Sequence, residues 1–115
     1  ADKKVMILFD NPSLPFDPKK CISRPFSLST KSENYCLFPR QAFDSQSEYL
    51  WYKAIVNLIL KEYPQTLTYD LSIPLCDNKN CYLAKNGKLL YLDDGHLNFE
   101  GSSFVAPYIL NALKQ

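Results

Sequence analysis

The chain predicts an α/β fold built on a parallel sheet, and more narrowly the carboxyl-terminal half of a doubly wound, three-layer domain. Three observations lead there. Lys4 to Phe9 (Lys-Val-Met-Ile-Leu-Phe) is a continuous apolar run of strand length without alternation, the pattern of a strand covered on both faces. The order that follows is long loop, helix, strand, loop, short strand, turn and helix. Such sheets normally hold more parallel strands than this order supplies, so the chain reads as half of the domain.

Asp10-Asn11-Pro12 ends the first strand, and loops at the carboxyl ends of strands commonly border active sites in open α/β sheets. Residues 11–44 show no clean period, and prolines at 12, 15, 18, 25 and 39 break any long element. The clearest helix follows. Ser45-Gln46-Ser47-Glu48 reads as a capping box at its start, and Pro64 enforces its stop. Leu50, Ala54 and Leu58 form one row of apolar residues and Trp51, Ile55 and Ile59 the next, beside a narrow polar stripe of Lys53, Asn57 and Lys61. So wide an apolar arc predicts a mostly buried helix, with Trp51 in the core rather than stacked on a sugar or cofactor. Thr66 to Leu71 is the second strand, residues 72–86 a loop, and Gly87 to Leu92 a short strand. The last helix spans about Phe99 to Leu113, capped by Asn98 and bent at Pro107.

At 115 residues the chain supports one domain with a modest core. Its 46% hydrophobic and 22% charged residues place it among globular rather than disordered chains. A net charge of +1 without any basic run argues against nucleic acid and anionic membrane as partners. No apolar run is long enough to span a bilayer. Ala1-Asp2-Lys3-Lys4 leads into a short strand, so no signal peptide is expected and the reading is of a soluble piece of a longer protein.

Four cysteines in so short a chain point to an oxidising compartment. Of the three connectivities, the local one, Cys21 with Cys36 and Cys76 with Cys81, staples two loops rich in Pro, Asn, Asp and Lys. Zinc held by Cys76, Cys81 and His96, or four reduced thiols, are the alternatives.

The chemistry concentrates in Tyr91-Leu-Asp-Asp-Gly-His-Leu-Asn-Phe-Glu-Gly101. His96, the only histidine, stands three residues after Asp93 in a turn between strand and helix. An Asp-x-x-His pair suits nucleophilic catalysis: the imidazole takes a proton from a weak nucleophile, and the carboxylate fixes its tautomer. The blander reading is a solvated histidine in a turn. No nucleophile is evident. Phe43-Asp44-Ser45 is the nearest imitation of a Gly-Asp-Ser block, but it lacks the glycine, follows no strand and is better explained as a helix start.

Leu75-Cys76, Cys81, Asn86-Gly87-Lys88, Leu90-Tyr91-Leu92-Asp93, His96-Leu97-Asn98 and Gly101 together resemble the end of the SGNH domain attached to membrane acyltransferases of the acyltransferase-three family. Those proteins O-acetylate cell-surface polysaccharides such as lipopolysaccharide O-antigen. The resemblance implies a three-layer, flavodoxin-like SGNH-hydrolase sheet, of which residues 1–115 are the carboxyl-terminal part. It also implies an extracytoplasmic location and roles for Asp93 and His96 as acid and base of a Ser-His-Asp site whose serine lies outside this chain. Asn98 departs from the serine that often follows the histidine-leucine pair and is read as a helix cap.

The implied function is part of an O-acyltransferase acting on cell-surface polysaccharide, with the isolated chain inactive. The alternatives are a non-catalytic extracytoplasmic binding or accessory domain that has lost its nucleophile, or an SGNH esterase fragment. Expected partners are the upstream half of the domain, the membrane acyltransferase domain of the parent protein and a carbohydrate acceptor. A homodimer through the exposed edge of the first strand is a further expectation, because that strand carries no charge, proline or alternation to guard it. No cofactor or metal is called for.

Overall fold

The computed structural model describes residues 3–21 and 36–115. Strand β1 (Met6–Phe9) runs parallel to β3 (Leu67–Asp70), with Met6 opposite Leu67 and Phe9 opposite Asp70. Between them lie β2 (Leu37–Pro39), α1 (Arg40–Asp44) and α2 (Ser47–Glu62). The mixed architecture and the parallel pairing agree with an α/β fold. Among the described residues the parallel sheet has two strands, not the full three-layer arrangement.

The ladder shows which edge of β1 is left over. The Leu67 N–H donates to the Val5 carbonyl at 3.0 Å and the Leu71 N–H to the Phe9 carbonyl at 3.3 Å. In a parallel ladder alternate residues face the partner, so Met6 and Leu8 turn their peptide groups to the opposite edge. Among the described residues no strand lies there. The hydroxyl of Tyr52 donates to the Leu8 carbonyl at 2.9 Å, so a side chain meets one backbone acceptor where a strand would otherwise pair.

The rest of the chain closes a core of its own. It comprises α3 (Ser72–Leu75), β4 (Asn80–Tyr82), β5 (Ala84–Lys85), β6 (Lys88–Leu89) and α4 (Phe99–Leu113). β4 pairs antiparallel with β2, which ties the early chain to this part. β5 and β6 form a hairpin turning at Asn86 and Gly87, whose φ angles of 53° and 75° both lie in the left-handed region. A two-residue turn of that kind matches the twist of the flanking strands, and Asn-Gly suits it best. Phe38, Phe43, Leu75, Leu83, Leu90, Tyr91 and Val105 are buried together with both cysteines of the second disulfide. Cys21 and Cys36 are bonded to each other, as are Cys76 and Cys81, so the local pairing holds.

Several expectations need correction. The 11–44 segment is not loop throughout: a short 3₁₀ turn (Pro18–Cys21), β2 and α1 lie within it, and residues 22–35 fall outside the described residues. Residues 72–86 likewise hold α3, β4 and β5, elements of two to four residues, too short to show a period. The capping box does not form. The Ser45 hydroxyl donates to the Gln41 and Ala42 carbonyls and ends α1, while Gln46 precedes α2 without a side-chain bond. A preceding helix has claimed the serine.

The largest correction concerns α2, which is not mostly buried. Its inner face is the row Tyr49, Tyr52, Val56 and Leu60, of which Val56 is fully buried. Leu50, Trp51, Ile55 and Leu58 face outward, with Trp51 68% exposed. The tyrosines were available to the inner face because a phenol can bury its ring and spend its hydroxyl on a nearby acceptor. Tyr52 does so at Leu8, and Tyr49 donates to Asp70 at 3.0 Å. The helix therefore carries two apolar faces, one covered and one bare.

Candidate active-site turn

The turn that carries His96 is built from both sides. Behind it, Tyr91 is buried and pairs with Leu97 in a one-residue antiparallel bridge. The Leu92 N–H donates to the His96 carbonyl at 2.8 Å, closing the turn over Asp93, Asp94 and Gly95. Ahead of it, α4 begins at once. The Asn98 side chain accepts from the Gly101 N–H at 2.9 Å, which is the expected cap, and its amide nitrogen donates to the Leu89 carbonyl at 2.8 Å. Gly101 is required by proximity: a Cβ added there would run into the Leu90 carbonyl.

Inside the turn Asp93 is the organising group. One carboxylate oxygen accepts the N–H groups of Gly95 at 2.8 Å and His96 at 2.7 Å. The same carboxylate meets the His96 ring, with Nδ1 2.9 Å from Oδ1 and 3.0 Å from Oδ2. The Gly95 amide and then the His96 ring hold the Asp93 carboxyl below the usual carboxylate range. An ionised carboxylate only accepts, so Nδ1 must be the protonated nitrogen, and the lone pair of the neutral ring is on Nε2. The histidine side chain is 78% exposed, open to a reacting group brought from elsewhere.

The loop after β1 clamps this turn. Asn11 is buried, and its Nδ2 donates to the Gly95 carbonyl at 3.2 Å and to the Pro12 carbonyl at 3.4 Å. The Leu14 N–H donates to the Asp94 carbonyl at 2.7 Å, and the Tyr91 hydroxyl to the Pro12 carbonyl at 3.2 Å. Burial is the main cause that pushes the Tyr91 hydroxyl above its ordinary range. The carboxyl end of β1 therefore supports the histidine turn, as the position of such loops suggests.

Asp93 and His96, the predicted pair, are brought together. Ser45 is not brought to them: its hydroxyl is spent on helix carbonyls. Ser13 is the serine on the clamping loop, and no hydrogen bond links it to His96. Asn11 and Tyr91 were missed as parts of the site. The signal for Asn11 was its place directly after a strand; for its reach to Gly95, 84 residues away, there was none. Among the described residues no group of three or more His, Cys, Asp and Glu side chains is disposed to hold a metal. No helix among them is long and apolar enough to cross a membrane.

Comparison with known proteins gives one match. The family described as the SGNH domain (fused to AT3 domains) covers residues 1–111. No curated protein and no solved structure matches the chain.

Proposed function

This chain belongs to the family of SGNH domains fused to AT3 domains, and from that premise we propose that it is the carboxyl-terminal part of such a domain in an extracytoplasmic O-acyltransferase. The parent would transfer acetyl groups to cell-surface polysaccharide. The observation that carries the reading is the Asp93 carboxylate on Nδ1 of His96, which leaves Nε2 free to accept a proton. An upstream serine, outside this chain, would lose its proton to Nε2 as it attacks the acyl donor. His96 would then return that proton to the leaving group. In the second half-reaction Nε2 would take the proton of a sugar hydroxyl as its oxygen attacks the acyl-serine, and would return that proton to the departing serine oxygen as the acyl group passes to the sugar. Asp93 would hold the ring and stabilise the imidazolium at each stage. Two observations support an incomplete domain: among the described residues no strand pairs with the second edge of β1, and the outer face of α2 is exposed. The two disulfides suit an oxidising, extracytoplasmic location.

The test is made in the parent protein. His96→Ala should abolish O-acetylation of the polysaccharide, and Asp93→Asn should lower its rate about 10²–10⁴-fold, with the protein still present at normal abundance. The isolated chain should not hydrolyse an aryl acetate. Undiminished acetylation by the His96→Ala parent would instead favour a non-catalytic accessory domain.

A further inference from the structure

Two consecutive peptide groups of the histidine turn are each held at both ends. The Gly95 N–H donates to Asp93 Oδ1 at 2.8 Å, and the carbonyl of that peptide, belonging to Asp94, accepts from the Leu14 N–H at 2.7 Å. The His96 N–H donates to the same Asp93 oxygen at 2.7 Å, and the carbonyl of that peptide, belonging to Gly95, accepts from Asn11 Nδ2 at 3.2 Å. In a trans peptide the N–H and the C=O point in opposite directions, so holding one end orients the other. The clamping loop therefore grips the carbonyl ends of the two peptides whose N–H ends converge on Asp93.

The two sides of the turn are unequally protected. The Asp93 side chain is 50% exposed, so water competes for the N–H groups it accepts. Asn11 and Leu14 are buried, and the bonds they give are better shielded. Gly95 adds no side chain that would hinder rotation of either peptide, so the shielded side must keep them in place. An amide suits position 11. Its Nδ2 carries two hydrogens, and the Gly95 and Pro12 carbonyls lie 3.2 and 3.4 Å away. With both hydrogens committed, Asn11 has none left for a reacting group, and its effect passes through the turn.

We propose that Asn11 is a positioning residue for the Asp93–His96 pair: by holding the Gly95 carbonyl it keeps the His96 N–H on Asp93, and thereby keeps the carboxylate on Nδ1 of the ring. Without that donor the Gly95–His96 peptide is free to turn over, and Asp93 loses an amide that fixes it beside the imidazole. The role rests on the acyltransferase reading above, which makes Asp93 and His96 a working pair. Polarisation acts in the same sense, because each bond in a chain of hydrogen bonds strengthens the next. The Gly95 amide first, then the His96 ring, hold the Asp93 carboxyl below the usual range, so a loosened turn should let it rise.

Asp94 beside Asp93, Asp17 and Lys19 across the same hollow, and the His96 ring all place charge near this carboxylate. Its titration is therefore followed at the Asp93 carboxyl carbon itself, by NMR of the 115-residue chain. In Asn11→Leu, which keeps the volume and removes the donors, and in Asn11→Ala, that carboxyl should titrate nearer the ordinary carboxylate range than in the wild type. Gln46→Ala releases the same loop at the Ser13 carbonyl and should leave the Asp93 titration where it was. In the parent protein Asn11→Leu should lower kcat for acetylation about 10–100-fold with KM little changed. An unmoved Asp93 titration in both Asn11 variants would overturn the proposal, and an equal shift in Gln46→Ala would do so by showing that any release of the loop suffices. Should the Asn11 variants not fold, the wild-type chain decides. Its Asn11 side-chain amide protons should move as Asp93 titrates. Asp10 accepts from the Asn11 N–H and titrates too, so only the movement lost in Asp93→Asn counts, and its absence refutes the coupling. Acetylation that survives His96→Ala while Asn11→Leu still moves Asp93 would sink the acyltransferase reading and keep the contact; acetylation abolished with Asp93 unmoved would do the reverse.

Discussion

The part of the chain from Leu71 to Val105 and the part formed by β1, α2 and β3 are both rich in apolar residues but differ in how those residues are covered. In the first, Leu75, Leu83, Leu90 and Tyr91 lie inside, held by a disulfide, a hairpin and a capped helix. In the second, the helix is fastened by two tyrosine hydroxyls and Val56, while Leu50, Trp51 and Leu58 face outward, and among the described residues only one edge of β1 is paired with a strand. The difference teaches that local elements can form to full length without a complete core. It also shows where the candidate site draws its rigidity. The Asp93–His96 turn belongs to the closed part and is steadied by a loop from the open one.

The largest effect should separate the two parts directly. Leu83 is fully buried, and Leu83→Ala should lower stability by about 2–5 kcal/mol in denaturant unfolding. Leu58 is 64% exposed, and Leu58→Ser should change stability by no more than about 0.5 kcal/mol while reducing self-association in sedimentation. Equal losses at the two positions would show that α2 is covered after all. A wild-type chain that stays monomeric at high concentration would break the comparison from the other side, by showing that the β1 edge needs no partner.

Gly101 tests the contact between α4 and the site. Gly101→Ala should cost about 1–3 kcal/mol, because the added methyl meets the Leu90 backbone, which cannot rotate away. In the parent protein it should also reduce acetylation, since α4 begins directly after His96. Thermal unfolding with no loss of midpoint would show that the helix start can shift freely.

The smallest effects are electrostatic, and they fall at opposite ends of the pH scale. In the closed part, the Asn80 amide, the Tyr82 hydroxyl and the Lys79 amide hold the exposed Asp77 carboxyl down to about 2. The turn it organises should gain its stabilisation above the ordinary value of 3.8 and lose it as pH falls through about 2. The Lys79 and Asn80 amide resonances should therefore keep their positions through mild acid. In the open part, burial and then the Asp70 carboxylate push Tyr49 up to about 12 from 10.0. Its tether to Asp70 stabilises the fold fully below pH 10 and should be lost as pH rises through about 12, read by tyrosinate absorbance and loss of helical circular dichroism. Simultaneous loss of both parts at either extreme would mean that they unfold as one unit.

Much of this molecule was decided within a few residues of sequence, and those features were legible without a structure. Helix α4 begins where its pattern begins, because Asn98 caps it by accepting from the N–H of a residue three further on. Asp93 meets His96 because a turn of that length leaves a short carboxylate little else to bond. The cysteines pair with their near neighbours in sequence. Asn86-Gly87 is an equally local signal, and the β5–β6 hairpin turns there. What only the tertiary structure decided is which side of an apolar surface finds a partner. The rows of α2 are apolar on two opposite faces, and periodicity cannot say which of them the sheet will cover. Ser45 could cap the helix after it or end the one before, and α1, too short to show a period, decided the matter. Asn11 reaches Gly95 only because β1 is docked beside β3, which brings together two loops far apart in the chain. Hydrogen bonds between near neighbours follow from backbone geometry, whereas burial is a property of the whole assembled surface.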